Sequence, residues 1–154
     1  MKIIFLDIDG VLNSAVYDRR RGPSDGNIDV TRLELIKELV DKTGAKIVLS
    51  SSWRIHWEKD FSKCDLEGRE LIETFGKAGL EIYDKTPYVS YLERGDEIRN
   101  WLLENEDVES FVIFDDYAFG WKELSDNLVQ TNYRIERGIE QEHIQKALEI
   151  LGCS

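Results

Sequence analysis

The run of sequence that most constrains the fold is KIIFLDIDGVLN, which spans residues 2–13. Its four consecutive apolar residues, at positions 3–6, are typical of a strand covered on both faces, as in a parallel sheet. Asp7 and Asp9 follow directly, and Gly10 permits the chain to turn. Because ligands of open α/β sheets bind beyond the carboxyl ends of the strands, this run predicts a strand that leads into a functional site.

Beyond this run, predicted strands alternate with predicted helices. Further strands are expected at Lys46–Ser50, Leu80–Tyr83, Phe111–Phe114 and Asn127–Thr131. Helices are expected from a capping-box pattern at Thr31–Glu34 to Gly44, through Leu71, Ile72 and Phe75 to Gly76 or Gly79, from about Asp96 to Asn105, and from Glu140 to Leu151. Residues 14–29 are polar and carry turn signals, so they are predicted as an excursion over the end of the first strand. The alternation favours an α/β, Rossmann-like fold with three layers around a central, mostly parallel five-stranded sheet.

Length and composition favour a single globular domain over residues 1–154, with 42% hydrophobic residues available for a core. The apolar run before Asp7 is too short for a signal peptide or a membrane span, so we expect a cytoplasmic protein. Cys64 and Cys153 lack metal-binding spacing and are predicted to be reduced thiols. The net charge of −11 argues against broad adhesion to nucleic acid or anionic membranes, although Arg19–Arg21 form a local basic run.

Acidic and hydroxyl side chains follow three of the predicted strands: Asp7 and Asp9 the first, Ser50 the second, and Asp115 with Asp116 the fourth. If these strands are neighbours, their carboxyl ends form one acidic pocket, in which the carboxylates repel one another. Mg²⁺ would relieve that repulsion by binding carboxylate oxygens, water and substrate phosphate. The predicted metal ligands are Asp7, Asp9, Asp115 and Asp116.

Two carboxylates at such a site can take complementary roles in phosphoryl transfer. One is the nucleophile that accepts the phosphoryl group, and the other protonates the leaving oxygen and then activates water. Hydroxyl donors and a cation complete the site. The phosphate-binding candidates are Ser50 and Ser51 for the hydroxyl, and Arg94 or Lys85 for the cation.

Substrate contacts beyond the phosphate are expected from arginines. Arg54 closely follows the serines, and Arg20 lies in the basic run after the first acidic motif. Trp53 and Trp57 are predicted to be packing residues, although stacking on a base would require the same side chain. The predicted substrate-binding residues are therefore Arg54 and Arg20.

The first motif, from Phe5 to Asn13, resembles the opening signature of the haloacid dehalogenase (HAD) superfamily of phosphotransferases. The order and spacing of the later motifs extend this resemblance over nearly the whole chain. It implies that Asp7 is the nucleophile and Asp9 the general acid/base. The other implied roles are phosphate binding by Ser50, Mg²⁺ binding by Asp115 with Asp116, and charge stabilisation by Arg94, which precedes the helix leading into the acidic strand.

The segments VLSSSWR, RGDEIRNWL and FDD are similar to small domains of multifunctional bacterial and phage RNA-repair proteins, the Swiss Army knife proteins. That similarity implies removal of terminal phosphates from nucleic-acid ends. Neither the connection after the first strand nor the one after the third is long enough for a substantial cap domain, so we expect an open pocket and a large substrate. No membrane and no obligate protein partner are expected.

Other classes of function use similar residues. A small-metabolite or mononucleotide phosphatase needs the same acids. A receiver-like signalling domain also uses strand-end acids, Mg²⁺ and an aspartyl-phosphate, but its phosphorylated Asp follows a middle strand, which here ends in serines. A non-catalytic binding module would not need both acids. The favoured hypothesis is a Mg²⁺-dependent phosphatase that acts on an accessible phosphate ester, such as a nucleic-acid or nucleotide end.

Overall fold

The computed structural model describes residues 1–89, 91–118, 120–134 and 137–153. The strands are β1 (Lys2–Leu6), β2 (Lys46–Leu49), β3 (Ile82–Lys85), β4 (Ser110–Asp115) and β5 (Leu128–Gln130). The α-helices are α1 (Ala15–Arg20), α2 (Val30–Thr43), α3 (Leu66–Lys77), α4 (Arg94–Glu104) and α5 (Gln141–Ile150). Short 3₁₀ helices lie at Ser52–His56, Phe61–Lys63 and Lys122–Asn127.

The five strands form one sheet in the order β3-β2-β1-β4-β5, with each described pairing parallel. β1 lies at the centre, and its last residue, Leu6, is paired with Leu49 of β2 and Phe114 of β4. The chain continues from β1 to one side of the sheet and later returns to the other side, so β1 borders the switch point at which α/β folds bind ligands. The predicted α/β, Rossmann-like class and its parallel sheet are confirmed.

Alternate residues of β1 point to opposite faces of the sheet and pack into two separate cores. Ile4 and Leu6 belong to the larger core, which contains the buried apolar side chains of α2, α3 and α5. Ile3 and Phe5 belong to the smaller core, where Phe5 meets Trp101 of α4 edge to face with ring centroids 5.4 Å apart. Helices therefore cover both faces, which confirms the predicted three layers.

The excursion predicted at residues 14–29 contains a helix, α1, that the apolar pattern did not indicate. α1 has six residues and buries none of them, so it carries no apolar stripe. Ser14 caps it by accepting a hydrogen bond from the Tyr17 backbone N–H. The Tyr17 hydroxyl lies 2.8 Å from the Gly26 carbonyl oxygen and 3.0 Å from that of Ile28. Polar contacts, rather than hydrophobic burial, thus join α1 to the loop that follows it.

The N-cap of α2 is Asp29, and the capping box predicted at Thr31 is wrong. The Asp29 carboxylate accepts hydrogen bonds from the Thr31 backbone N–H at 3.1 Å and from the Thr31 hydroxyl at 2.6 Å. Asp caps at least as well as Thr, and it lies two residues earlier. Thr31 is consequently inside the first helical turn.

The predicted strand Leu80–Tyr83 is displaced by two residues, to Ile82–Lys85. β3 lies at an edge of the sheet, where polar residues are tolerated because one side is not covered by another strand. Asp84 accepts a hydrogen bond from the Trp101 indole at 2.9 Å, and the Lys85 ammonium donates to the Trp57 carbonyl at 2.7 Å. These partners allow two polar residues to extend the strand beyond its apolar portion.

No cap domain is inserted in the described part of the chain. The connection after β1 holds only α1 before α2 begins, and the described residues between Lys85 and Arg94 hold no helix or strand. This agrees with the prediction of a HAD-like fold without a substantial cap. Over the same described ranges, none of the helices has the length and apolar character needed to traverse a membrane.

Candidate active site

Three carboxylates meet where β1 and β4 end. The Asp7 backbone N–H donates to the Phe114 carbonyl at 3.0 Å, which aligns the two strand ends next to Asp115. One oxygen from each of Asp7, Asp115 and Asp116 lies within 4.8 Å of the other two. Asp7 and Asp115 are buried, and Asp116 is partly exposed. The structure thus brings together three of the four predicted metal ligands.

Arg94 holds two of these carboxylates together. Its Nη1 lies 3.1 Å from Oδ2 of Asp7 and 2.7 Å from Oδ2 of Asp115. Arg94 is the first residue of α4, where a cation is disfavoured by the helix dipole, so its position is explained by the carboxylates. Lys85, the competing cation, instead donates to the carbonyls of Arg54 and Trp57, and the structure does not bring it to this cluster.

The electrostatics of the cluster suit a bound cation. Burial, followed by the charge of Asp115, raises the pKa of Asp7 to about 7, although Arg94 and the Ile8 backbone N–H oppose the shift. Burial and Asp115 likewise raise the pKa of Asp116. A hard divalent cation prefers carboxylate oxygens and would offset this repulsion more fully than the single arginine does. The three acids therefore fit Mg²⁺.

Asp9 lies outside this group of three and is oriented by two side chains. Its Oδ1 accepts a hydrogen bond from the Asn13 amide at 2.9 Å, and its Oδ2 accepts one from the Trp53 indole at 3.0 Å. Gly10 makes the turn with a φ of 82°, and a Cβ added to Gly10 would overlap the Asp116 carboxylate. The predicted turn after Asp9 is thus built around a glycine that allows close approach of Asp116.

Three residues of the site were not predicted to belong to it. Asn13 bonds Asp9 and also accepts from the Gly10 backbone N–H at 2.9 Å; its presence in the first motif could have indicated this. Trp53, predicted to pack, is the indole donor to Asp9. The Thr131 hydroxyl donates to the Gly10 carbonyl at 2.6 Å, and no sequence signal connects positions so far apart.

The serines after β2 differ in how their hydroxyls are used. The Ser51 hydroxyl accepts a hydrogen bond from the Trp53 backbone N–H at 3.1 Å and so caps the following 3₁₀ helix. The Ser50 hydroxyl is buried and has no hydrogen-bond partner among the described residues. Ser50 is held beside Asp7 because its backbone N–H donates to the Leu6 carbonyl at 3.1 Å. A buried hydroxyl without a partner is consistent with a group reserved for a ligand.

The two predicted substrate-binding arginines are already engaged within the protein. Arg54 is 3% exposed and pairs with Glu97 at 2.5 Å, and its other terminal nitrogen donates to the Ser51 carbonyl at 2.8 Å. Arg20 is exposed and lies 3.4 Å from Asp29. Arg54 lines the cavity that Asp7, Asp9 and Asp116 face, whereas Arg20 does not.

The carboxylates face a cavity of about 450 Å³. Its lining includes the two acids of the first motif, Arg94, and two exposed tyrosines, Tyr88 and Tyr117. Acids, a cation and a cavity at the carboxyl ends of parallel strands can bind a phosphorylated ligand and a metal together.

Comparison with known proteins places these features in a family. Residues 3–144 match the family described as the HAD domain in Swiss Army Knife RNA repair proteins. Among solved structures, a chain in the "Structure of Pnkp1/Rnl/Hen1 complex" is similar, with 20% identity and a TM-score of 0.47. That similarity covers 88% of this chain and 46% of the other, so this chain spans about half the length of that relative.

No curated protein matches the sequence. The family match nevertheless extends over most of the chain, from β1 into α5, and confirms the resemblance indicated by the motifs. This protein belongs to the family of HAD domains found in Swiss Army Knife RNA repair proteins.

Proposed function

We propose that this protein is a Mg²⁺-dependent phosphatase that removes a phosphate ester from an accessible nucleic-acid or nucleotide end, through a phosphorylated Asp7. The observation that carries the proposal is the juxtaposition of Asp7, Asp115 and Arg94 at adjoining strand ends, with a separately oriented carboxylate at Asp9. An acid pair, a cation and a cation-binding cluster are the parts that phosphoryl transfer requires.

The metal would be held by Asp7, Asp115 and Asp116, whose oxygens are already close together. When bound, Mg²⁺ neutralises charge on the phosphate and on the surrounding carboxylates. Arg94 supplies a fixed positive charge to the same region, and the Ser50 hydroxyl can donate a hydrogen bond to a phosphoryl oxygen. Asp9 is left free of the cluster for proton transfer because Asn13 and Trp53 hold it.

In the first step, a carboxylate oxygen of Asp7 attacks the phosphorus atom and the bond from phosphorus to the ester oxygen breaks. The electron pair of that bond leaves with the ester oxygen, to which the protonated Asp9 carboxyl donates its proton. In the second step, the Asp9 carboxylate takes a proton from water and the water oxygen attacks phosphorus. The bond from phosphorus to Asp7 then breaks, which releases inorganic phosphate and restores both acids.

Two observations favour a nucleic-acid or nucleotide end as the substrate. The family to which the chain belongs is described from RNA repair proteins, and the described residues hold no inserted cap above the cavity. An uncovered cavity can admit a phosphate that is attached to a large molecule. A small-metabolite phosphatase would use the same chemistry, but its substrate does not require an uncovered cavity.

A substrate panel tests the proposal. Purified protein is incubated, with Mg²⁺ or with a chelator, with 3′- and 5′-phosphorylated oligonucleotides, mononucleotides, sugar phosphates and an aryl phosphate, and released phosphate is measured. We expect Mg²⁺-dependent release with the highest kcat/KM on oligonucleotide or nucleotide ends. A preference for sugar phosphates would identify a small-metabolite phosphatase, and no release from any ester would contradict the proposed function.

Asp9→Asn is expected to lower kcat on an alkyl phosphate ester by about 10²- to 10⁴-fold, because the leaving oxygen then lacks a proton donor. An aryl phosphate has a leaving group that departs without a proton, so the rate of its first step is expected to fall much less. The comparison uses the rate of product alcohol release in the first turnover, because the variant also lacks the base for the second step and its steady-state rate should fall on both esters. An equal loss of the first-turnover rate on both esters would show that Asp9 does not protonate the leaving group.

A further inference from the structure

Tyr88 is an exposed aromatic side chain in the wall of the acidic cavity. It is 65% exposed, and it shares the cavity lining with Asp7 and Arg94. Tyr117, which directly follows Asp116 in the sequence, is 57% exposed and lines the same cavity. Large aromatic surfaces at the border of a ligand cavity are typical of binding sites rather than of ordinary protein surface.

The chain on both sides of Tyr88 is anchored. The Thr86 backbone N–H donates to the Leu49 carbonyl at 2.9 Å, and the Val89 backbone N–H donates to Glu97 at 3.2 Å. The Arg54 guanidinium lies 5.2 Å from the centre of the Tyr88 ring, within cation–π range. An exposed ring that is held in this way loses little conformational entropy when a ligand stacks on it.

Arg54 is suited to support the ring rather than to bind substrate phosphate directly. It is buried, it pairs with Glu97 at 2.5 Å, and it donates to the Ser51 carbonyl. Arg54 therefore links the serine segment after β2, Ser50–Ser52, to the loop that carries Tyr88. The aromatic ring and the proposed phosphate-binding segment are thereby fixed relative to each other.

The charge of the protein favours an aromatic ligand contact. A net charge of −11 gives no general attraction to a polyanion. For an enzyme with this charge that acts on nucleic-acid ends, a contact that does not depend on phosphate adds affinity that the overall charge does not supply. Stacking of a base on an aromatic side chain is such a contribution, because every base has an aromatic face.

We propose that Tyr88, together with Tyr117, stacks on the nucleobase of the terminal nucleotide whose phosphate reaches Asp7. This inference rests on the proposed function and specifies it further, because it assigns a base-binding subsite to the cavity. The subsite discriminates between a nucleotide and a phosphorylated end that lacks a base. Discrimination among the four bases is expected to be weak, since stacking is tolerant of base identity.

The test compares two phosphorylated oligonucleotides that differ only at the terminal residue, which carries a base in one and is abasic in the other. Wild-type protein is expected to have a KM about tenfold or more lower for the base-bearing end. Tyr88→Ala is expected to bring the ratio of the two KM values close to one, and Tyr117→Ala to reduce it. Tyr88→Phe keeps the ring and should keep the ratio.

Tyr91→Ala is the matched control, because Tyr91 is 84% exposed in the same segment but does not line the cavity; it should retain the wild-type ratio. Equal KM values for both ends in the wild type would overturn the base-stacking inference while leaving the phosphatase proposal intact. Tyr88-dependent hydrolysis of a phosphotyrosine peptide combined with base-independent oligonucleotide hydrolysis would overturn it in favour of a peptide ligand. Failure to hydrolyse any ester would overturn both proposals.

Discussion

Asp7→Asn is expected to lower kcat by roughly 10⁴-fold or more on every phosphate ester, because the amide cannot form the covalent intermediate. The same change should stabilise the metal-free protein near neutral pH. It removes a buried carboxylate that lies beside Asp115, and it leaves Arg94 paired with Asp115 at 2.7 Å. A variant that loses activity but gains stability would show that the Asp7 carboxylate is required for catalysis and destabilises the fold.

The gain in stability has a defined pH dependence. The pKa of Asp7 is raised from 3.8 to about 7 in the folded protein, so the folded state binds more protons than the unfolded state between these values. The contribution of Asp7 to stability is therefore fully present below about pH 4 and is lost as the pH rises through about 7. The advantage of Asp7→Asn in Tm should be small near pH 4 and reach several degrees near pH 8.

Thermal unfolding in a chelator, across this pH range, gives the measurement. Asp60→Asn is a suitable control, because hydrogen bonds from Ser62 lower the pKa of the exposed Asp60 carboxyl. That substitution should leave Tm unchanged or slightly lower, the opposite direction to Asp7→Asn. A Tm for Asp7→Asn that stays below the wild-type value at all pH values would contradict the account of the acidic cluster.

Glu97→Ala is expected to destabilise the protein by about 3–5 kcal/mol, because it leaves the Arg54 charge buried without its carboxylate partner. The two side chains are 6% and 3% exposed and lie 2.5 Å apart. Burial lowers the pKa of the Arg54 guanidinium, and Glu97 opposes that shift. Such a loss corresponds to a decrease in Tm of about 10 °C for a chain of this length, measured by thermal unfolding.

Glu123→Ala provides the matched comparison. Glu123 also pairs with an arginine at 2.5 Å, but its side chain is 66% exposed. Exposed pairs contribute at most about 1 kcal/mol, so a small change in Tm is expected. Similar losses in the two variants would show that burial does not determine the contribution of the Arg54–Glu97 pair. Replacing both buried partners, as Arg54→Met with Glu97→Leu, should recover much of the loss.

The strands at the centre of the sheet were predictable from sequence because their apolar runs are continuous. β1 and β4 are buried on both faces, and each ends in acids, so the pattern and the chemistry coincide at Asp7 and Asp115. β3 was less predictable, since two of its four residues are the polar Asp84 and Lys85 at the sheet edge. α1 was not predictable from apolar spacing, because none of its residues is buried.

Within the candidate site, the sequence indicated which residues lie together but not which hydrogen bonds and ion pairs their side chains form. The sequence placed Asp7 beside Ser50 only on the condition that their strands are neighbours, and the pairing of β1 with β2 in the structure meets that condition. The pairing of Arg54 with Glu97 required the packing of α4 against the serine segment, which involves positions far apart in sequence. The contact of Trp53 with Asp9 likewise depends on the fold of the 3₁₀ helix after β2. Contacts of this kind cannot be predicted from the spacing of apolar residues in the sequence.

The most direct test of the proposed mechanism is detection of the phosphorylated Asp7. Asp9→Asn is mixed with an activated aryl phosphate and Mg²⁺, quenched in acid and analysed by peptide mass spectrometry. The aryl leaving group permits the first step, whereas loss of the Asp9 carboxylate slows attack by water, so the intermediate should accumulate. We expect one phosphoryl group on Asp7, as the proposed mechanism requires. Release of the aryl alcohol with no phosphorylated carboxylate, or with phosphate on another residue, would contradict it.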